Sequence, residues 1–97
     1  MIYSYKLNKV LTCSNEKVYN KFINWVRGEF DLYLISESTK LDVYFPNGMF
    51  SIGKIPDKNI NIEINIKSSS ESTCNNMMNQ LQSIYNHVVV FMKQKKL

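Results

Sequence analysis

Apolar and polar residues alternate most regularly in the segment 59–67, which reads NINIEINIK. One side of an extended strand over this segment would carry Ile60, Ile62, Ile64 and Ile66. Asparagines and one glutamate fill the other side. Such alternation is typical of an antiparallel strand with one buried and one solvated face. We expect the isoleucines to lie beneath a helix and the polar residues to face water.

Four further segments have strand character. They are residues 2–11, DLYLISES from Asp31, KLDVYF from Lys40 and MFSIGKI from Met49. Turns are predicted at 36–40, at 46–48 and at 56–59. In the second of these, Pro46 presets the first central torsion, and Asn47 or Gly48 tolerates positive φ.

Two segments have helical spacing of apolar residues. The first runs over about 15–27, with Ser14 as N-cap and Gly28 as C-terminal stop. The second runs over about 70–94, and Ser68 and Glu71 have the spacing of a capping box, with Ser72 as an alternative cap. Its apolar stripe comprises Cys74, Met77, Met78, Leu81, Ile84, Tyr85, Val88, Phe91 and Met92.

The order of elements, β-α-β-β-β-β-α, predicts an α+β fold. Residues 1–97 are expected to form a single domain, because a chain of this length leaves no room for two. A single antiparallel sheet of about five strands would pack against the long C-terminal helix and the shorter N-terminal helix. Only the long C-terminal helix offers an apolar surface large enough to cover the isoleucines.

The segment that begins at Asp31 is apolar on both parities, so its orientation is less certain from the pattern. If Leu32 and Leu34 face the helices, together with Leu41, Val43 and Phe45, an opposite set faces outward. That outward set is Tyr33, Ile35 and Tyr44. Tyrosines and an isoleucine on an open sheet face predict a partner-binding surface. The alternative is that the first helix, or a curl of the sheet, covers them.

Composition and charge add little that is specific. The net charge is +4 and Arg27 is the only arginine, whereas recognition of guanine or phosphate favours the guanidinium fork. Abundant Lys, Asn and Ile are typical of an AT-rich genome, and small viral proteins share this composition. Codon bias and a functional positive charge both remain possible explanations.

No catalytic, cofactor-binding or metal-binding residue is predicted. His87 is the only histidine and has no second ligand at metal spacing. Cys13 precedes a helix N-terminus, and Cys74 falls on the apolar stripe as a small hydrophobe. The eight carboxylates are scattered, without a pair in a recessed site. We therefore expect a protein that is not an enzyme.

The N-terminus lacks the continuous apolar segment of a signal peptide, and no stretch is long enough to span a membrane. Two cysteines do not make a disulfide framework, so a reducing cytoplasm is the expected location.

The leading functional hypothesis is a small non-enzymatic binding module that contacts a protein partner or itself, with a homodimer as the expected assembly. The alternative is a nucleic-acid-binding domain in which the sheet-face tyrosines stack on bases and lysines meet phosphates. The candidate lysines are Lys6, Lys40, Lys54, Lys93, Lys95 and Lys96.

Overall fold

The computed structural model of the chain describes residues 3–55 and 60–94. In chain order the elements are β1 (Tyr5–Cys13), α1 (Glu16–Glu29), β2 (Leu34–Glu37), β3 (Leu41–Phe45), β4 (Gly48–Ile55), β5 (Ile60–Ser68) and α2 (Glu71–Gln94). The predicted α+β class is confirmed. The predictions made for Ile2, for the turn at 56–59 and for Lys95 and Lys96 lie outside the described residues.

The five strands form one antiparallel sheet in the order β1-β5-β4-β3-β2. Strands β2 to β5 each pair with the next strand along the chain, which confirms the predicted meander. β1 pairs with β5 on its other side, so β1 and β2 are the two edge strands. The segment that contains α1 connects one edge of the sheet to the other.

The isoleucine side of β5 lies beneath α2, as predicted. Ile62, Ile64 and Ile66 are completely buried, and Ile60 is half-buried. The helix contributes Cys74, Met78, Leu81, Tyr85 and Val88 to the same core. Burying one isoleucine is worth about 1.5 to 3 kcal/mol, so this contact fixes which face of β5 points inward.

Tyr85 of α2 connects both helices to the edge of the sheet. Its ring meets that of Phe22 in α1 edge-on, at a centroid distance of 5.3 Å. Its hydroxyl donates a hydrogen bond of 2.8 Å to the carbonyl oxygen of Thr12 in β1. Burial, followed by the neighbouring Cys13, raises the pKa of Tyr85 to about 12. The phenol therefore remains a hydrogen-bond donor at neutral pH.

Helix α1 is capped one residue later than predicted. Asn15, rather than Ser14, is the N-cap, and its side-chain oxygen accepts the amide hydrogen of Val18 at 3.0 Å. Gly28 does not end the helix. Its φ is not positive, and the helix continues until the amide of Phe30 donates to the carbonyl oxygen of Val26.

The predicted capping box of α2 does not form. Ser70 caps the helix instead, because its hydroxyl oxygen accepts the amide hydrogen of Thr73 at 3.3 Å. Ser68 is completely buried and donates to the carbonyl oxygen of Asn47 at 2.8 Å. Its oxygen accepts the amide hydrogen of Ser70 at 3.1 Å rather than that of Glu71, so the capping-box hydrogen bond is not made.

The predicted orientation of the segment before β3 is wrong. Leu32 is 95% exposed and Leu34 is 71% exposed, although both were expected to face the helices. Ile35 was expected to face outward, but it lies opposite Val43 on the helix side and packs against the core.

The length of the β2–β3 turn explains this reversal. Glu37 lies opposite Leu41, which leaves three residues, 38–40, in the turn. That register places Leu34 opposite Tyr44, on the face away from the helices. A shift of one residue would exchange the two faces, and a strand that is apolar on both sides does not select between them.

The turn at Pro46 and Asn47 is confirmed, but it does not use positive φ at any described residue. Gly48 is required for a different reason. A Cβ atom on Gly48 would lie 2.2 Å from the carbonyl oxygen of Lys67 in β5. The absence of a side chain therefore allows β4 to approach β5 at its first residue.

We predict opposite effects of the same substitution at two glycines. Gly48→Ala should lower the free energy of unfolding by about 1 to 3 kcal/mol, because the backbone of β5 must move. Gly28→Ala should raise it by about 0.4 to 1 kcal/mol, because the new methyl group meets nothing within 4 Å on an exposed helix. Urea unfolding measures both, and a Gly48→Ala protein as stable as its parent would contradict the close approach of the strands.

Candidate binding surface on the open face of the sheet

The face of the sheet that points away from both helices, here called the open face, is crossed by rows of neighbouring side chains. One row crosses all five strands and consists of Leu34, Tyr44, Met49, Lys67 and Lys6, each opposite the next in the strand register. Its β2 end is apolar and its β1 end is basic. The equivalent row on the helix side, Ile35, Val43, Phe50, Ile66 and Leu7, is entirely apolar.

The next row on the open face is polar throughout. It consists of Ser36, Asp42, Ser51, Asn65 and Asn8. The Ser51 hydroxyl donates to the Asp42 carboxylate. The side-chain amide of Asn8 donates to Asn65 at 2.7 Å and to Glu63 at 3.0 Å. These side-chain hydrogen bonds connect β1 to β5 and β4 to β3 on the open face.

A shallow depression of about 490 Å³ lies at the basic end of these two rows. Three lysines surround it, namely Lys6 from β1, Lys67 from β5 and Lys40 from the turn before β3. Its floor includes Asn8, Ser51 and Asn65. No carboxylate is among its described lining residues, but Asp42 and Glu63 accept hydrogen bonds from Ser51 and Asn8 of its floor. The three lysines outnumber these two neighbouring carboxylates, so the net charge around the depression is positive.

The β2 end of the sheet carries exposed large apolar side chains on and beside the open face, here called the β2 patch. It is defined by Leu32, Tyr33, Leu34 and Tyr44. Leu34 and Tyr44 are cross-strand neighbours on the open face. Tyr33 is 42% exposed and Tyr44 is 38% exposed, so the patch offers both aliphatic and phenolic surface to a partner.

The three predicted partner-binding residues do not share one face. Tyr44 lies on the open face, as expected. Ile35 lies on the helix side, so its predicted placement is wrong. Tyr33 precedes β2, and its ring lies 5.9 Å from that of the core residue Phe30. Partner binding by any of the three remains a prediction, and Leu34 takes the place expected for Ile35.

The predicted nucleic-acid lysines separate into different regions. Lys6 and Lys40 flank the depression, and both are exposed. Lys54 faces the helix side, where it pairs with Glu16 and lies over the ring of Tyr19. Lys93 is exposed near the end of α2. Lys95 and Lys96 lie outside the described residues.

Sequence reasoning missed Lys67 and the two asparagines of the floor. The alternation of β5 places Asn65 and Lys67 on the polar side, which was visible in the sequence. Their meeting with Asn8 and Lys6 depends on β1 lying next to β5. The sequence pattern does not reveal which strands are neighbours across a sheet.

The thiols and the histidine do not form a reactive group in the described residues. Cys13 is completely buried and its sulfur donates to the carbonyl oxygen of Asn15 at 3.1 Å. Burial, followed by the charge of Glu71, raises the pKa of Cys74, which disfavours the reactive thiolate. His87 is exposed on α2. Within residues 3–55 and 60–94, no cluster of acidic, histidine or cysteine side chains has the arrangement to hold a metal ion.

A second depression, of about 800 Å³, lies between α1 and the end of α2. Its walls include Val18, Val89 and Met92, and Lys21 at its border lies over the ring of Phe91. Neither described helix is long and apolar enough to cross a membrane.

Comparison of the chain with protein-family models gave no match, and comparison with curated proteins gave no relative.

We predict that the two patch tyrosines differ in their contribution to stability. Tyr33→Ala should lower the free energy of unfolding by about 1 kcal/mol, because it removes an aromatic contact with Phe30. Tyr44→Ala should lower the free energy of unfolding by about half as much, because it removes cross-strand contacts on an open face. Thermal or urea unfolding measures the difference, and the reverse order would contradict the placement of these two rings.

Proposed function

We propose that this protein is a non-enzymatic binding module that forms a homodimer through the β2 edge of its sheet. The observation that carries the proposal is the exposure of large apolar side chains at one edge. Leu32 and Leu34 are among the most exposed of all described large apolar residues, and Tyr33 and Tyr44 lie next to them. A second copy that covered this patch would remove it from water.

The backbone of β2 favours a second copy as the occupant. β2 pairs with β3 on one side, and no described strand pairs with its other side. An unpaired edge strand can pair with the same strand of a second molecule about a two-fold axis. In such a pair the Leu34 side chains of the two copies would lie on the same face of a continuous sheet.

The other edge of the sheet is less suited to self-pairing. β1 carries Lys6, which points to the open face, and Lys9, which lies opposite Ile64 on the helix side. Two copies of β1 would bring these lysines together, and lysines on an edge strand oppose edge-to-edge association. β2, with the sequence LISE, carries no lysine and no proline.

The proposal includes neither a catalytic role nor a cofactor, and it places the protein in the cytoplasm. The location is supported by Cys13 and Cys74, which are both free thiols in the buried core. A reducing compartment keeps such thiols reduced. The proposed partner is a second copy of the chain rather than a membrane or a metal ion.

The test uses two matched substitutions of an exposed apolar residue by lysine on the two edge strands. Leu34→Lys should abolish dimer formation, because a desolvated leucine is worth about 1.5 to 3 kcal/mol and each dimer contains two of them. Val10→Lys changes a 49% exposed residue on the open face of β1, and it should leave the dimer intact. Light scattering coupled to size-exclusion chromatography measures the mass of each variant.

The parent protein should show a mass that rises from monomer to dimer with concentration. A parent that remains monomeric at roughly 1 mM, where association as weak as about −4 kcal/mol is detectable, would overturn the proposal. Equal loss of the dimer in Leu34→Lys and Val10→Lys would place the contact on the sheet face rather than at the β2 edge, and would also overturn it.

A further inference from the structure

The positively charged side chains around the depression of the open face repel one another. Lys6 and Lys67 lie directly opposite each other on neighbouring strands, and like charges in that position repel. The ion pairs formed within the described residues are Arg27 with Glu37 and Lys54 with Glu16. Among the residues that the structure describes, Lys6, Lys40 and Lys67 thus have no acidic partner. An anionic ligand would relieve this repulsion.

The third lysine is directed across the sheet by a glycine. A Cβ atom on Gly53 in β4 would lie 2.9 Å from Cγ of Lys40, and 3.3 and 3.4 Å from the next two carbons of that side chain. The absence of a side chain on Gly53 therefore lets the aliphatic part of Lys40 lie over the sheet. Lys40 borders the same depression as Lys6 and Lys67.

The floor of the depression offers a hydrogen-bond donor that no described residue accepts. The side-chain oxygen of Asn65 accepts from Asn8, but its NH₂ group donates to no residue in the described part of the chain. Asn65 is half-buried between Asn8 and Ser51. Amide groups in this position can pair with the edges of nucleobases as well as with phosphate oxygens.

A flat surface for stacking adjoins the lysines. Met49 lies opposite Lys67 in the register, and Tyr44 lies opposite Met49. Tyr44 is exposed and Met49 is half-buried. A phenol and a thioether beside cationic side chains suit unpaired bases, because every base has a face that stacks on them. In a duplex these faces are already occupied by neighbouring base pairs, so the arrangement favours a single strand.

We propose that the depression formed by Lys6, Lys40 and Lys67 binds single-stranded nucleic acid, with phosphates at the lysines and bases against Met49 and Tyr44. Tyr44 belongs to both this site and the β2 patch, whereas Lys6, Lys40 and Lys67 lie outside the patch. The lysine variants therefore test nucleic-acid binding without changing the proposed dimer surface, and the two proposals can fail independently.

The test is a titration of labelled single-stranded oligonucleotides of roughly 12 nucleotides, RNA and DNA, followed by fluorescence anisotropy. Three phosphate contacts predict a slope of about −2 for the logarithm of the binding constant against that of the salt concentration. The triple variant Lys6→Gln, Lys40→Gln, Lys67→Gln should bind at least about tenfold more weakly at physiological salt and lose most of this slope.

The matched control is the triple variant Lys9→Gln, Lys17→Gln, Lys93→Gln. It makes the same change in net charge with exposed lysines that lie away from the open face. Its affinity should stay within about threefold of the parent if local contacts, rather than total charge, carry the binding. Should the first triple variant fail to fold, its three single variants, each expected to reduce the slope by about 0.7, make the same test.

Several outcomes would overturn the proposal. They are absence of binding at low salt, equal weakening in both triple variants, and binding of a duplex of the same sequence as tightly as the single strand. The mass of the first triple variant, measured by light scattering, should match that of the parent, which separates loss of the nucleic-acid site from loss of the dimer.

Discussion

The side chains of Ile62, Ile64 and Ile66 must be kept from water, and α2 is the element that covers them. Each of these residues is worth about 1.5 to 3 kcal/mol when buried, so no alternative face of β5 competes for the helix. The strand period of two then fixes the opposite result for the residues between them. Once the isoleucines point inward, Glu63, Asn65 and Lys67 must point outward.

The same constraint extends across the sheet through the register of each strand pair. Because neighbouring residues in a row point to the same side, the inward direction of Ile66 also sets that of Phe50 and Val43. Both helices lie on that side, which leaves the other side as one continuous open face. Its chemistry changes from apolar at β2 to basic at β1, so a single face provides two surfaces of different character.

Much of this architecture could be predicted from the sequence. The predictions that were wrong concern positions where the sequence fits two local arrangements almost equally well. The alternation of β5 and the apolar stripe of α2 are strong signals. The apolar residues of β5 fit only the two-residue period of a strand, and those of α2 fit only the 3.6-residue period of a helix. The segment with Leu34 and Ile35 is apolar on both sides, and its orientation is decided by the three-residue turn that follows. The observed helix caps lie one or two residues from the predicted ones, because neighbouring Ser and Asn residues, such as Ser14 and Asn15, are nearly equivalent as caps.

The candidate site was harder to predict than the fold. Lys6 and Lys40 were identified from the sequence, but Lys67 completes the depression only because β1 pairs with β5. Lys54 was predicted together with Lys6 and Lys40, but its position opposite Ile62 places it on the helix side of the sheet. The pairing of strands that are distant in sequence thus determines which charged side chains become neighbours. Local sequence patterns do not indicate this pairing.

The sheet is covered by helices on one side and exposed to solvent on the other. The most direct measurement is the broadening of methyl NMR signals by a soluble paramagnetic probe, made at a protein concentration low enough to disfavour association. Strong broadening of the Leu34 and Met49 methyl signals is expected, with those of Ile62, Ile64 and Ile66 almost unaffected. Signals of these three isoleucines broadened as strongly as that of Met49 would contradict this arrangement of the sheet.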